Sequence, residues 1–452
     1  MKNNQKVILL VAIIASFVAF LDSSVVGVAL PQISEQLGGG LATQQWVNNA
    51  YLITLGSLIL AAGSLSDIFG RKKIITVGLI GFLVTSIMCA IAPTAEALII
   101  SRGLQGVAGA LLVPSSLALI ISGFSGTAQS KAIGSWTGWT GIAFIVGPLV
   151  GGLLVDLVSW RLVFAINIIP IVVALVLMKK LAAEGEVKTS KSVDIIGIIL
   201  GAVGLGGIVY ALIEQGSYGW SSPVILGTLA IGLIAMCGFI VHERRAKHPM
   251  LPLQLFAIRN FSVGTIATFL IYAALSLQAF LIVVFLQQVA GYSATMAGLA
   301  SLPVMLLLFF LSSRFGALSG QYGPRLFMTV GPILAGLGTL YLLSVTATPN
   351  YFTQLFPGIV LFGLGLAMTV APLTSAILGS IKSTQAGIGS AVNNAISRIA
   401  GLLAVATIGI FAGSSLDLDG FHLGIIICSV MLIVGGIVSA IGIRNTANLR
   451  QT

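Results

Sequence analysis

The sequence predicts an all-helical integral membrane protein with fourteen transmembrane helices. Of its 452 residues, 57% are hydrophobic, against 22 Lys and Arg and 12 Asp and Glu, and the mean hydropathy is +1.09. A chain with so few charges could not cover a surface that faces water. Its apolar runs are long enough to cross the bilayer as helices, at about 20 residues each. The alternating segments of about ten residues that are typical of barrel strands do not occur in it.

Polar interruptions divide the apolar sequence into fourteen predicted spans. With the N-terminus in the cytoplasm, every Lys and Arg except Arg102, Arg161 and Arg398 falls in a cytoplasmic segment. Because Lys and Arg concentrate in cytoplasmic loops, this distribution supports the number of spans, and an even number leaves both termini inside. The predicted spans cover about residues 7–30, 46–66, 73–92, 97–121, 133–155, 161–180, 194–214, 222–242, 261–288, 296–318, 325–345, 352–377, 385–412 and 421–443.

Composition and motifs disfavour several function classes. The net charge of +10 is spread over many short loops rather than gathered on one face, so nucleic-acid binding is not indicated. Cys89, Cys237 and Cys428 lie in separate apolar runs, which disfavours a disulfide framework or a metal site. The sequence contains no HExxH, GxSxG or GxxxxGK[ST] motif. We therefore expect a protein that is not an enzyme and that uses no metal or other cofactor.

An internal repeat organises the chain. "GSLSDIFGRK" at 63–72 matches "GALSGQYGPR" at 316–325, and "AIGS" at 132–135 matches "GIGS" at 387–390. Similar offsets in the same order indicate a duplicated six-helix unit. The predicted division is 1–180 for the first six-helix bundle, 181–255 for a charged loop with two inserted helices, and 256–452 for the second bundle. Such repeats suit an alternating-access carrier with a site near the membrane midplane, although a duplicated bundle could also serve assembly.

Asp22 and Arg102 are the charged residues that lie well inside predicted spans of the first half. A carboxylate facing lipid would cost several kcal/mol, so Asp22 should face the bundle interior, where it could take up and release a proton or balance a cationic substrate. Arg102 needs a partner and has no acid in its own span; Asp22 is a plausible one. The alternatives are a structural acid bonded to a neighbouring helix and an arginine that ties helices together through carbonyls.

The fifth span combines glycines with a proline and two tryptophans. Its glycines, which include Gly147, Gly151 and Gly152, allow close helix packing, and Pro148 removes a backbone donor so that the helix can bend. Trp136 and Trp139 could stack on a flat aromatic cation, while anchoring at the interface or contact with lipid is the simpler interpretation.

The remaining polar residues of the spans are weaker candidates. Glu214 and Asp156 lie at predicted outer ends, where a carboxylate reaches water, and a structural role is favoured for both. Gln278 and Asn393 are further candidates for the lining of a substrate cavity. Arg398 lies near the start of its span or deep within it, depending on where that helix begins. We find no carboxylate inside a span of the second half, so proton coupling should concentrate in the first.

Several of these motifs resemble the major facilitator superfamily, and within it the fourteen-helix drug:proton antiporters. "GSLSDIFGRKK" is similar to the superfamily loop motif between helices 2 and 3, and "RGLQGVAGALLVP" to its helix 4 motif. "GIAFIVGPLVGG" resembles the helix 5 motif of exporters. Three further stretches resemble motifs of the fourteen-helix branch: "LDSSVVGVALP", "SWRLVFAINIIP" and "ALIEQGSYGW". The likeness therefore covers nearly the whole chain.

The resemblance implies a function and a role for each matched residue. The chain would be a proton-coupled exporter of amphipathic drugs and dyes in the plasma membrane of a bacterial cell, with Asp22 handling protons or cations and Arg102 assisting. Because the second half lacks further acids, monovalent cations or zwitterions are favoured over divalent cations, and a monomer is expected. A dedicated exporter of one metabolite, peptide or lipid, and a non-transporting scaffold or scramblase, remain alternatives. The matched residues are Gly147, Pro148, Gly151 and Gly152 for the antiporter bend, and Gly63, Asp67, Gly70 and Arg71 for a cytoplasmic latch.

Overall fold

The computed structural model describes residues 3–181, 193–246, 249–382, 385–413 and 415–445. Every regular element in these ranges is helical, and fourteen helical segments are long and apolar enough to cross a membrane. The predicted fold class is therefore confirmed, while the cytoplasmic position of the termini stays a prediction. Apart from Leu181, the charged loop predicted after the sixth span lies outside the described residues, as do Lys247 and Arg450.

The chain divides into two compact units. Unit 1 comprises Met1–Leu251 together with the short segment Tyr292–Gly298. Up to Leu251, its described residues form nine helices: α1 (Asn3–Leu37), α2 (Gly40–Phe69), α3 (Arg71–Ala90), α4 (Ala95–Gly123), α5 (Gly126–Leu157), α6 (Leu162–Ala165), α7 (Ile168–Lys179), α8 (Ile195–Tyr218) and α9 (Pro223–Arg245).

Unit 2 comprises Pro252–Gly291 and Leu299–Thr452. One helix, α11 (Ala294–Ala300), begins in the segment that belongs to unit 1. The other helices of this half are α10 (Arg259–Gln288), α12 (Leu302–Tyr322), α13 (Pro324–Tyr341), α14 (Phe356–Leu378), α15 (Ala386–Ala406), α16 (Ile408–Ala412) and α17 (Leu418–Gly442).

The two copies of the repeated loop have the same backbone conformation. Gly70, between α2 and α3, has φ 89° and ψ 138°, and Gly323, between α12 and α13, has φ 85° and ψ 151°. A positive φ at this position favours glycine, because a Cβ would crowd the backbone. Both loops therefore reverse the chain through a single glycine, at equivalent places in the sequence repeat.

The sixth predicted span is divided into α6 and α7 at Ile166 and Asn167. Pro170 explains the interruption, since it has no N–H to donate to the carbonyl of Ile166 four residues earlier. Asn167 keeps helical dihedral angles, and its backbone N–H bonds to the carbonyl of Phe164 at 3.3 Å. The local tightening brings an amide side chain into the core of unit 1.

The inserted helices α8 and α9 form a tight hairpin within unit 1. A Cβ on Gly207 would lie 2.7 Å from the carbonyl oxygen of Thr228 and 2.9 Å from the Cα of Gly232, so the two backbones touch. Glu214 accepts a hydrogen bond from the indole of Trp46 on α2 at 2.7 Å. The hairpin thus packs on the first bundle. The predicted division of the chain at 181–255 stays a prediction.

Candidate functional site

Asp22 and Arg102 form a buried ion pair in unit 1. The Nη1 atom of Arg102, on α4, lies 2.6 Å from the Oδ2 atom of Asp22, on α1. Asp22 is 0% exposed and Arg102 is 1% exposed. At such burial neither charge could remain without a partner, because an isolated ion in an apolar medium loses many kcal/mol of solvation.

Two amide side chains complete the coordination of Asp22. Gln105 donates from Nε2 to Oδ1 of Asp22 at 3.1 Å, and Asn167 donates from Nδ2 to the same oxygen at 2.9 Å. Gln105 also accepts from Arg102 Nη1 at 2.6 Å and donates to Ser86 Oγ at 2.9 Å. The carboxylate therefore receives three donors, one of them charged, which is the surrounding that an ionised form requires.

Arg102 is held on its other side by α2 and by two aromatic rings. Its Nε atom donates to the carbonyl of Val47 at 3.1 Å. The guanidinium carbon lies 4.4 Å from the ring centroid of Tyr51 and 5.7 Å from that of Phe164. These cation–π contacts favour the charged group in a place without water.

Small residues on α4 make this geometry possible. A Cβ on Gly106 would overlap the backbone carbonyl of Tyr51, and one on Gly109 would lie 2.9 Å from the Tyr51 hydroxyl. The close approach of α4 to α2 brings the arginine within reach of Val47. Gln105 follows Arg102 by three residues, so both side chains leave the same face of α4.

One polar atom of this network has no partner. The Oδ1 atom of Asn167 is buried and accepts no hydrogen bond in the structure. Asn167 uses its NH2 group toward Asp22, so its carbonyl oxygen is the unused half of the same amide. An amide offers a donor on one side and an acceptor on the other. Rotation of the amide by half a turn would present that acceptor to a protonated Asp22.

Three of the α5 glycines lie in close contacts. A Cβ on Gly147 would overlap Ser24 Oγ on α1, and one on Gly151 would lie 2.5 Å from Val25 Cγ2. A Cβ on Gly152 would lie 2.5 Å from the Cα of Thr295. The helix runs without interruption through Pro148 from Gly126 to Leu157, and its glycines serve packing on α1 and on the start of α11.

The two tryptophans of α5 differ in their surroundings. Trp136 is half-buried and donates to Ser16 Oγ at 3.0 Å, and Ser16 in turn lies 2.5 Å from the hydroxyl of Ser116. Trp139 is 55% exposed and stands eight residues inside the span that begins at Lys131. Its position is therefore deeper in the span than an interfacial anchor requires.

The remaining candidates each accept hydrogen bonds from neighbouring groups. Asp156 accepts from the backbone N–H groups of Ala294 at 3.0 Å and Thr295 at 2.8 Å, which caps α11. Gln278 is completely buried and accepts from Thr339 at 2.7 Å, so it lines no open surface. Asn393 is half-buried and accepts from Thr268 at 2.8 Å.

The predicted latch residues surround the turn between α2 and α3. Gly63 and Gly70 are half-buried, and Arg71 begins α3. The side chain of Asp67 lies outside the described part of the structure. The next residue, Lys72, donates from Nζ to the carbonyl of Leu181, just beyond the end of α7.

Reasoning from sequence proposed Asp22 as a partner for Arg102 but missed Gln105, Asn167, Ser86 and Tyr51. Gln105 could have been found from its spacing to Arg102, because three residues bring it to the same helix face. Asn167 could have been noticed as an amide in an apolar run three residues before a proline. Ser86 and Tyr51 carry no such indication, since both are common residues of membrane helices.

Comparison with known proteins identifies the family of the chain. The model of the Major Facilitator Superfamily matches residues 12–405. The chain belongs to the major facilitator superfamily. The resemblance seen in the sequence motifs is therefore confirmed, and this membership makes the chain a multi-pass transporter of the cell membrane rather than an enzyme.

Curated relatives of this superfamily member include antibiotic resistance proteins. It is 32% identical over 411 residues to the tetracenomycin C resistance and export protein of Streptomyces glaucescens, covering 90% of this chain and 76% of that one. It is 33% identical over 405 residues to the methylenomycin A resistance protein of Bacillus subtilis, covering 89% and 86%. With the puromycin resistance protein of Streptomyces alboniger it shares 33% over 403 residues, covering 88% and 80%.

Solved structures of the superfamily share the fold at low sequence identity. A peptide transporter in complex with sulfate matches with a TM-score of 0.71 at 16% identity, covering 96% of this chain and 93% of that one. The xylose transporter XylE from E. coli matches with a TM-score of 0.66 at 13% identity, covering 96% and 97%. These likenesses concern the fold alone.

Proposed function

We propose that this superfamily member is a proton-coupled exporter of amphipathic drugs, in which Asp22 carries the coupling proton. The similarity to three proteins named for resistance to tetracenomycin C, methylenomycin A and puromycin supports export as the activity. The observation that carries the coupling role is the sealed network of Asp22, Arg102, Gln105 and Asn167. Its substrates are monovalent or zwitterionic rather than divalent cations, because the described spans of unit 2 add no acid beyond the first turn of α17.

The network gives protonation of Asp22 a physical consequence. In the ionised form the carboxylate balances Arg102 and accepts from both amides. A proton on Asp22 would leave Arg102 without its counter-charge at 1% exposure, a state that costs several kcal/mol. The protonated protein therefore favours an arrangement in which Arg102 reaches water or another anion, and this preference couples the proton to a change of conformation.

Export then follows as a cycle in which the protein carries substrate outward and a proton inward. Substrate enters from the cytoplasm or inner leaflet while Asp22 is ionised and is released outside. A proton from outside neutralises Asp22 and accompanies the return, and its release to the cytoplasm restores the ion pair with Arg102. The proton gradient supplies the energy, so neither a nucleotide nor a metal takes part.

The test compares Asp22→Asn with Glu35→Gln in proteoliposomes. Asp22→Asn keeps the shape of the side chain and removes the titrating group, so we expect loss of pH-driven dye efflux with normal folding. Glu35→Gln removes an exposed carboxylate from the same helix and should retain efflux. Efflux by Asp22→Asn at the wild-type rate would overturn the coupling role, and efflux lost equally in both variants would assign the effect to general damage.

A dedicated exporter of one compound is the second candidate. It is favoured by the names of the relatives, several of which specify a single antibiotic. The multidrug transporter MdtP of Bacillus subtilis, 32% identical over 416 residues, favours the broad alternative. Competition among unrelated dyes and antibiotics in the same proteoliposomes separates the two, because a dedicated exporter would show no mutual inhibition.

A further inference from the structure

Arg398 lies at mid-membrane depth in unit 2. It belongs to α15, near the middle of the span Gly387–Ala412. Placing a guanidinium at this depth costs a few kcal/mol or more, so it must face the interior of a bundle or water. The side chain is half-buried, whereas Arg102 in unit 1 is sealed. Arg398 is therefore accessible in a way that Arg102 is not.

The surroundings of Arg398 form a polar strip between α10 and α15. Tyr272 on α10 is close enough for an electrostatic interaction with Arg398. One turn before, Thr268 donates to Oδ1 of Asn393 at 2.8 Å. One turn beyond, a Cβ on Gly401 would overlap the hydroxyl of Ser276. Thr268, Tyr272 and Ser276 recur every four residues and so share one face of α10.

The intramembrane charge of unit 2 is positive. Among its described membrane spans, the Asp, Glu, Lys and Arg residues are four arginines and a single acid, Asp419, in the first turn of α17. Arg259 donates to the carbonyl of Gly442 at 2.8 Å and Arg325 to that of Ala440 at 2.7 Å, so both serve the end of α17. Arg314 is exposed on α12. Arg398 is the arginine whose charge lies deep in its span, within electrostatic range of Tyr272.

We propose that Arg398 binds the anionic oxygen group, a carboxylate or an ionised phenol, of an amphipathic substrate. A guanidinium offers paired donors that match two carboxylate oxygens, and Tyr272, within electrostatic range of Arg398, carries a hydroxyl that can act as a further donor. A substrate with a positive charge alone is repelled from the same place. The inference rests on the proposed exporter function and narrows its substrates to zwitterions and organic anions.

The experiment uses two dyes that differ by one carboxylate. Rhodamine B carries a carboxylate and a delocalised cation, and its ethyl ester keeps the cation and the ring system. Binding of each dye to the purified full chain in a non-ionic detergent is followed by fluorescence polarisation. Wild type should bind the acid at least about tenfold more tightly than the ester, as expected for hydrogen bonds to a charged group.

Variants assign the preference to the residue. Arg398→Gln should weaken binding of rhodamine B by about tenfold or more and leave the ester unchanged or slightly tighter. Arg398→Lys should recover part of the preference, because it restores charge without the paired donors. Arg314→Gln removes an exposed arginine of the same unit and should change neither affinity. Size-exclusion profiles and unfolding temperatures check that each variant is folded.

Three results would overturn the proposal: equal wild-type affinity for both dyes, an equal loss for both in Arg398→Gln, or no saturable binding of rhodamine B. Phosphatidylglycerol is added as a separate competitor, and complete displacement of the dye by this lipid would assign the site to a lipid phosphate instead. The proposed function fails separately. If Asp22→Asn abolishes efflux of the ester while the wild-type protein binds both dyes equally, the exporter function is supported and the anion site is contradicted.

Discussion

At the scale of single residues, the amide of Asn167 uses only its donor side in the network around Asp22. Its NH2 group donates to Oδ1 of Asp22 at 2.9 Å, and its own Oδ1 is buried without a donor. Besides Asp22, the charged group of this network is Arg102. The thiol of Cys89 lies at its edge, with Sγ 3.7 Å from Oε1 of Gln105. A buried carboxylate that loses such a donor cannot replace it with water, so the donor contributes to the stability of the fold.

We predict that Asn167→Leu destabilises the protein. The buried carboxylate of Asp22 loses one of its three donors, worth about 1.5 kcal/mol or more for a charged acceptor. Apparent unfolding temperatures in detergent, at one scan rate, measure the loss.

Asn48→Leu is the control, since the amide of Asn48, on α2, donates to Asn49. It should lower the unfolding temperature by less. A loss in Asn167→Leu that is no larger than the loss in Asn48→Leu would contradict the assignment of Asn167 to the carboxylate.

Residues of this network were only partly predictable from sequence. A carboxylate and a guanidinium stand out in an apolar chain because each would be costly in lipid, and that cost identified Asp22 and Arg102. Asn167 and Gln105 are neutral, and amides recur elsewhere in the spans. Their importance depends on how α1, α3, α4 and α6 are arranged around one point, which no single span specifies.

At the scale of helices, the contact between α1 and α5 depends on glycines at one level of α5. A Cβ on Gly151 would lie 2.5 Å from Val25 Cγ2, 2.9 Å from Val28 Cγ2 and 3.1 Å from the carbonyl of Val25. Gly141, two to three turns earlier on the same helix, has open space at the corresponding position. The two glycines thus share helix, composition and membrane environment but differ in contact.

We predict that Gly151→Ala and Gly141→Ala change stability in opposite directions. Overpacking at Gly151 should destabilise the protein by about 1 to 3 kcal/mol. At Gly141 the added methyl meets no atom and favours the helix by up to about 1 kcal/mol. Apparent unfolding temperatures in detergent, at one scan rate, measure both. A rise in Gly151→Ala would show that α5 is not held against α1 by this contact.

Helix number and helix class could be predicted because bilayer thickness sets the length of an apolar span. The division of the sixth span at Ile166 was not predicted, although the sequence contains Pro170 four residues later. A proline in a membrane helix can be accommodated by neighbouring groups, so its presence alone does not locate a break. The loops that flank the inserted hairpin made it visible in the sequence. Its packing on the first bundle was not predictable, because the contact joins Trp46 and Glu214, which are far apart in the sequence.

At the scale of the whole molecule, the repeat extends from backbone turns to the basic residues beside them. Two residues after Gly70, Lys72 donates to the carbonyl of Leu181 at the end of α7. Two residues after Gly323, Arg325 donates to the carbonyl of Ala440 near the end of α17. In each unit the third helix thus supplies a cation to the end of the sixth span. A cation there satisfies a terminal carbonyl and interacts favourably with the helix dipole.

The two copies differ in how many cations from other helices donate to the terminal carbonyls. Arg259 also donates to Gly442 at 2.8 Å and to Ile441 at 3.1 Å, so the last turn of α17 receives two arginines. Lys72 is the residue of its own loop that reaches α7, while its neighbour Lys73 lies 5.9 Å from the ring centroid of Phe69. Loss of one cation should therefore matter more at α7 than at α17.

We predict that Lys72→Met loosens the last turn of α7 more than Arg325→Met loosens that of α17. A terminal cation is worth about 0.3 to 1 kcal/mol, so amide hydrogen exchange at residues 177–181 should accelerate about two- to fivefold in Lys72→Met. Arg325→Met should change exchange at residues 438–443 by less, because Arg259 remains. Lys73→Met is the matched control and should leave both segments as in wild type. Equal acceleration by Lys72→Met and Lys73→Met would show that the contact of Lys72 with Leu181 does not stabilise α7. A larger effect at α17 would contradict the difference between the two copies.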